Sequence, residues 1–349
     1  MIRRLYAHNY KSLVDFEIRP GPMTLLAGET GSGKTNVLDA FKLLRRFVFR
    51  GRDVAGMLPR QTLTRWSKDS DQVFELSVDG EEGLFELAVV VEHPTGSGTC
   101  LVALERLLLD GRVLLEASRG DARAHRGTDG VTALSVNPTR SALEYVASRE
   151  GGPIAWFHQR MTRLFVLQLQ PQVMQEVAIA ENRHPSATMF NFAMWWRHLA
   201  QEDPDHTQRV IESLRGAIDH FDMLRLIRQE GRDRHLMACF KDVSGVAPTA
   251  IDYGLSELSD GQRSLIALYT LLHVNGKGGV TMCVDSPDKV LTANEVERWA
   301  TALVQRTRSD PVQGIITSSR VEPLGGVDAS SIMWLERGPA GRTSIRPAK

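Results

Sequence analysis

Gly28-Glu29-Thr30-Gly31-Ser32-Gly33-Lys34-Thr35 has the residue types and spacing of a phosphate cradle. In such a loop glycines let backbone N–H groups wrap the phosphates, a lysine reaches the outer ones and a threonine hydroxyl takes a position on magnesium. Far along the chain, Val280-Thr281-Met282-Cys283-Val284-Asp285 is an apolar strand ending in a carboxylate, as required of a residue that orders magnesium at such a loop. Shortly before it, Leu258-Ser259-Asp260-Gly261-Gln262 opens a helix and presents Ser259, the Gly261 amide and Gln262 at its N-terminus. Taken alone, Ser259 reads as a helix cap. With Asp285 soon after it, the stretch reads as the second part of a two-part ATP site.

The elements that must position these residues are legible around them. Met23 to Ala27 is an apolar run suited to a buried strand, and Val37, Leu38, Phe41, Leu44 and Val48 recur at helical spacing behind the loop. Strand, glycine loop and helix in that order put a helix N-terminus at the phosphates. Leu5-Tyr6-Ala7 and Leu13 to Ile18 read as strands before the loop. From about 70 to 117 alternating runs separated by Asp79-Gly80 and Asp110-Gly111 read as an antiparallel sheet. Ser118 to Arg140 loses periodicity and reads as an exposed, weakly ordered loop. Leu164 to Leu167 is a buried strand; Phe190, Met194, Trp195 and Leu199 mark a helix, with Trp195 and Trp196 as core residues. Val210, Ile211, Leu214, Ile218 and Phe221 mark another helix, started by Asp203-Pro204-Asp205. Leu265 to Leu272 is apolar nearly all round, so its helix is buried, and Gln313 to Thr317 is a further strand.

Composition sets outer limits. The 349 residues suffice for a sizeable core, and 42 lysines and arginines balance 42 aspartates and glutamates, so the whole-chain field favours neither nucleic acid nor membrane. Locally, Arg45, Arg46, Arg50, Arg52, Arg60 and Arg65 lie between Lys42 and Lys68 with Asp53 the only acid, a solvated basic face or a polyanion contact. Cys100, Cys239 and Cys283 are scattered without metal-ligand spacing, which fits a reducing cytoplasm. Arg3 and Arg4 lead into polar Asn9, Tyr10 and Lys11 rather than an apolar core, so no secretion signal is expected, and no apolar run is long enough to cross a bilayer.

With Asn9-Tyr10-Lys11-Ser12-Leu13 at its opening, the strand and proline at Leu164 to Pro171, and the Leu-Ser-Asp-Gly signature, the chain resembles ABC-type ATPases of the RecF and SMC kind, in particular those related to overcoming-lysogenization-defect proteins. The resemblance spans nearly the whole length. It implies an α/β P-loop head with a mixed sheet flanked by helices, built from residues 1–48 and 161–349, with a helical subdomain at about 187–230. Residues 49–160 would be an inserted antiparallel β lid with its exposed loop. It also implies that ATP and Mg²⁺ sit between two heads, the signature of one copy closing over the γ-phosphate held by the other. By position, Gly28, Thr30, Gly31, Ser32, Gly33, Lys34 and Asn36 would hold the nucleotide, with Ser259, Gly261 and Gln262 sealing it. Thr35 and Asp285 would hold magnesium, with Gln170 sensing metal and attacking water and Gln168 as its substitute.

The sequence departs from that pattern at two stations. Ser286 stands where family members carry the glutamate that polarises water, and Ser318 where a histidine contacts the γ-phosphate. A serine hydroxyl cannot accept a proton near neutral pH, so tight binding with slow hydrolysis is expected, Asp288 being the substitute base. The resemblance points to an ATP-gated dimeric switch in phage defence or DNA maintenance beside a separate effector or nuclease. The alternatives are an active DNA-binding ATPase working through Arg45 to Lys68, and a structural ATP-binding subunit of a larger complex.

Overall fold

The chain opens with a hairpin of β1 (Ile2–His8) and β2 (Phe16–Ile18), then β3 (Met23–Ala27), whose every residue is buried. This is a computed structural model, and it describes residues 1–96, 98–126, 130–149, 151–228, 231–241, 251–276, 278–320 and 326–346. The glycine loop follows β3 and delivers the chain into α1 (Lys34–Arg50). Val37, Leu38, Phe41, Leu44, Phe47 and Val48 give α1 one fully buried stripe. Each such side chain is worth about 1.5–3 kcal/mol when buried, so packing rather than helix propensity holds α1 in place. Gly51, left-handed at φ 46°, ends it, and a short turn α2 (Val54–Met57) follows, capped by Asp53.

The alternating runs form strands as expected: β4 (Asp71–Asp79), β5 (Leu84–Glu92), β6 (Leu101–Leu109) and β7 (Arg112–Ser118). β4 pairs antiparallel onto β1, with Leu5 opposite Leu76 and Ala7 opposite Phe74, so these strands continue the sheet that the chain's first strand begins. The loop expected at Ser118 to Arg140 is a correction: β8 (Asp121–Arg126) and β9 (Gly130–Ser135) add two more strands there, with 127–129 outside the described residues. Ala122 and Ala124 supply the buried face of β8, and alternation carried by alanine between charged neighbours gives little apolar signal. The sheet order is β2-β1-β4-β5-β6-β7-β8-β9.

Two helices that the sequence reading did not anticipate, α3 (Ala142–Ala147) and α4 (Gly152–Thr162), lead to β10 (Leu164–Leu167). Beyond β11 (Val177–Ala178) come α5 (Phe192–Glu202) and α6 (Pro204–Ala217), the latter capped by the Asp203 carboxylate on the His206 N–H. Trp195 and Trp196 are core residues, each 2% exposed. Phe190 falls before α5 and is exposed, and Phe221, read as part of a helical face, instead opens β12 (Phe221–Arg228). The turn at Asp219-His220, with His220 left-handed at φ 60°, breaks the helical period before Phe221. β12 pairs with β13 (Arg234–Phe240), which also pairs with β14 (Ile251–Gly254) and β11. The end of the expected helical segment, 229–230, is outside the described residues.

The last part of the chain completes the central sheet: α7 (Asp260–Leu272), β15 (Val280–Val284), α8 (Ala293–Ser309), β16 (Val312–Ser318), β17 (Ile332–Arg337) and β18 (Thr343–Ile345). Its order is β10-β15-β16-β3-β17-β18, parallel except for β18. Period-two alternation sends neighbouring side chains to opposite faces. Leu26, Val166, Cys283, Ile315 and Leu335 face α1 and the antiparallel sheet, while Leu25, Leu167, Met282 and Ile316 face the core built from α5 to α8. β3 and β15 share one carboxyl edge although they are not neighbours, because β16 lies between them. Among the described residues no helix is long and apolar enough to cross a membrane.

Candidate functional site

The carboxyl edge of the central sheet gathers the loop after β3, the end of β15 and the end of β16. Gly28, Gly31 and Gly33 all have positive φ, at 154°, 88° and 105°. At Gly28 a Cβ would run into the Leu335 carbonyl oxygen, and at Gly33 into the Thr343 hydroxyl, while at Gly31 it would meet nothing. The C-terminal hairpin therefore presses on the loop from behind. Asn36 Nδ2 donates to Ser12 Oγ at 2.7 Å, Ser12 bonds Thr343 Oγ1 at 2.7 Å, and Thr343 Oγ1 donates to the Ser32 carbonyl at 3.0 Å. Thr343 escaped the sequence reading because its role depends on a contact 311 residues away.

Gly28→Ala and Gly31→Ala separate two reasons for glycine. Gly31→Ala carries backbone strain alone, about 1–2 kcal/mol. Gly28→Ala adds a clash with a β17 carbonyl that cannot rotate away, and its expected cost exceeds about 3 kcal/mol. Thermal unfolding of the two variants checks the order, Gly28→Ala melting well below Gly31→Ala.

Lys34 is 7% exposed, and its Nζ donates to the carbonyls of Gly28 at 2.6 Å and Glu29 at 2.8 Å. Burial pushes its amine below the usual lysine range, and the nearby charges of Asp285 and Asp288 oppose that shift. Thr35 Oγ1 donates to Asp285 Oδ2 at 3.1 Å across 250 residues of sequence. Thr317 Oγ1 donates to Asp285 Oδ1 at 2.7 Å and accepts the Ser286 N–H at 2.9 Å. Ser286 is left-handed at φ 48°, a conformation that costs a non-glycine residue free energy and that clusters at functional sites.

A cavity of about 260 Å³ is lined by Thr30, Gly31, Gly33, Lys34, Thr35, Asn36, Ser286, Lys289, Ser319 and Arg337. Ser318 is wholly buried, and its neighbour Ser319 takes the lining position. Both hydroxyls donate to Asp288 Oδ2, at 3.2 Å and 3.3 Å. A second cavity that also touches Gly31, Asn36 and Arg337, about 210 Å³, is walled by Lys11, Ser12, Gln61, Arg65 and the exposed Trp66. Trp66, Arg337, Thr317 and Ser319 are site residues that spacing alone did not reveal.

The remaining candidates lie apart. Among the described residues Gln170 lines neither cavity and has no side-chain hydrogen bond, being exposed, whereas Gln168 accepts Lys42 Nζ at 2.8 Å on the flank of α1. Ser259 caps α7: its Oγ accepts the Gln262 N–H at 3.2 Å, and Gln262 Oε1 accepts the Ser259 N–H at 3.0 Å. Gln262 lines a different cavity, with His220, Phe240 and Tyr253, so the signature residues do not reach this chain's own glycine loop. In the basic stretch, Arg45 packs against Phe49 and Phe165, and burial and then Arg50 push its guanidinium down to about 10. Arg46, Arg50, Arg52, Arg65 and Lys68 are exposed.

Among the described residues no group of three or more His, Cys, Asp and Glu gathers. A magnesium ion between Thr35 Oγ1 and Asp285 would therefore complete its shell from phosphate and water, which suits an ion that keeps several waters. The glycine cradle and a buried lysine bonded only to neutral oxygens fit a phosphate chain on the same ground.

The fold is that of SMC head domains, the α/β fold of ABC-type ATPases. One similar solved structure is an SmcHead bound to the C-winged helix domain of ScpA, with TM-score 0.59 and 15% identity over 99% of this chain and 96% of that one. Another is an Smc head domain with an extended coiled coil, bound to the C-terminal domain of ScpA derived from Pyrococcus furiosus, with TM-score 0.56 and 14% identity over 99% and 95%. No protein-family model and no curated protein matches the sequence.

Proposed function

We propose that the chain binds Mg-ATP at the loop Gly28–Thr35 and works as an ATP-gated dimeric switch with slow hydrolysis. The observation that carries this reading is Thr35 meeting Asp285 at 3.1 Å beside buried Lys34. Gly28, Thr30, Gly31, Ser32, Gly33, Lys34 and Asn36 hold the phosphates, and Thr35 and Asp285 hold magnesium. Gln170, on the turn after β10, is carried to the metal only when a second copy closes. The adenine stacks on Trp66 in the cavity beside Gly31, a contact worth about 1–3 kcal/mol per base. The seal comes from a second copy, because Ser259 Oγ accepts one bond and keeps its own proton free for a phosphate oxygen.

Slow turnover follows from Ser286, which lines the phosphate cavity without a group able to take a proton. The expected lid at 49–160 is not a separate piece, because β4 pairs onto β1 and its sheet shares a core with α1; in this reading that whole antiparallel sheet is the part of the head that reports its state to a partner. The resemblance of the opening and signature motifs to ATPases related to overcoming-lysogenization-defect proteins supports a place in phage defence or DNA maintenance, in the cytoplasm, with a separate effector protein. The similar SMC heads carry a bound ScpA domain, which supports a protein partner for this head as well. The exposed Arg46, Arg50, Arg52, Arg65 and Lys68 support a second reading, an ATPase that grips DNA, whose affinity would fall steeply with salt. Calorimetry with Mg-ATP tests the first reading: one site per chain and turnover below about one per second are expected. A chain indifferent to ATP, or faster turnover, overturns it.

A further inference from the structure

Two carboxylates stand near Lys34, and only Asp285 is fully engaged, by Thr35, Ser286 and Thr317. Asp288 lies in the turn Pro287–Lys289 and receives Ser318 Oγ and Ser319 Oγ on Oδ2 alone. Its Oδ1 is buried and has no hydrogen-bond partner among the described residues. Folded proteins rarely leave a buried acceptor unpaired, so this carboxylate is held with accepting capacity to spare beside the two serines on its other oxygen. The backbone is bent to put it there. Ser286 sits at φ 48° and ψ 61°, and the tight turn that follows swings the residue three beyond Asp285 back to the carboxyl edge, against the end of β16.

Ser319 joins this carboxylate to the cavity. It lines the same space as Lys34, Thr35 and Ser286 while its hydroxyl donates to Asp288 Oδ2 at 3.3 Å. On the ATP reading above, the two stations left vacant by Ser286 and Ser318 are those that polarise water. We propose that Ser319 and Asp288 act together as the water-polarising pair of this site. The water gives a proton to Ser319 Oγ as Ser319 passes its own to Asp288 Oδ2. The water oxygen bonds the γ-phosphorus, the bond from phosphorus to the β–γ bridging oxygen breaks, and ADP leaves with that electron pair. Ser319 touches the water; Asp288 is a positioning residue that acts through it. A relay through a hydroxyl is weaker than a carboxylate placed directly on the water, in keeping with slow turnover.

Lys34 at the head of α1 feels the charges of Asp285, Asp288 and Lys289, which places Asp288 within the electrostatic reach of the phosphate-loop lysine. Arg320 follows β16 and gives its N–H to Ser318 Oγ at 3.0 Å. The test is single-turnover hydrolysis by the wild type, Asp288→Asn and Ser319→Ala, with ATP affinity measured on each. Both substitutions are expected to lower the rate on the order of a hundredfold and leave affinity unchanged. A lowered rate at held affinity is the split that a merely structural role for Asp288 would not produce. Asp288→Asn is isosteric, and Ser319→Ala removes only a cavity-lining hydroxyl, so a misfolded first variant leaves the second decisive. ATP bound normally with unchanged rates overturns the pair alone. A wild type that binds no ATP overturns the ATP reading and the pair with it.

Discussion

Lys34→Ala is expected to remove ATP binding while leaving the fold intact. Lys34 Nζ is satisfied by two loop carbonyls and, at 3.4 Å, by Ser32 Oγ, and among the described residues no carboxylate is in ion-pair contact with it. It is thus a buried cation held for an incoming anion. Each charge-assisted hydrogen bond to a phosphate oxygen contributes about 1.5–3 kcal/mol, and every 1.4 kcal/mol is tenfold in affinity. Losing two such contacts weakens binding by at least about a hundredfold. The apolar stripe of α1 from Val37 to Val48 does not use Lys34, so the melting temperature should move little. Calorimetry showing affinity within tenfold of wild type, by the same arithmetic, would place the phosphates elsewhere.

The second large effect concerns the seal between copies. Ser259 is exposed at the start of α7, and its own chain offers it no phosphate loop, since the signature lines a separate cavity. Ser259→Arg should let each chain bind ATP and stay single, because a long cation cannot fit where a hydroxyl must meet a second copy's nucleotide. The lost cap costs only about 1 kcal/mol. A mixture sharpens the test. Chains carrying Ser259→Arg keep their phosphate loop and chains carrying Lys34→Ala keep their signature, so a mixed pair holds one complete site. Pairing in the mixture and in neither variant alone is the expected result. Pairs formed by Ser259→Arg alone would remove α7 from the seal.

Much of this arrangement was legible from local pattern. Met23 to Ala27, Leu164 to Leu167 and Val280 to Val284 announce themselves because a parallel strand covered on both faces must be apolar throughout. The glycine loop is legible because its chemistry lies within a few consecutive residues. Where the signal depended on contacts between distant segments, it failed. Nothing near Thr343 says that it braces Ser32, and nothing near Trp66 says that β18 and the glycine loop lie beside it. β8 was missed because its inward residues are alanines, and Phe221 was assigned to α6 because an apolar residue at helical spacing also suits the first position of a strand. At the site, spacing pointed to Ser318, whereas β16 is covered on both faces down to its last residue, Ser318, and Ser319 just beyond the strand lines the cavity.

The central claim is that ATP draws two copies together through one composite site. Mass measurement of the 38.8 kDa chain with and without Mg-ATP, alongside Lys34→Ala, addresses it most directly. The account predicts a doubled mass only for the wild type and only with nucleotide. The same mass in all four samples would contradict it.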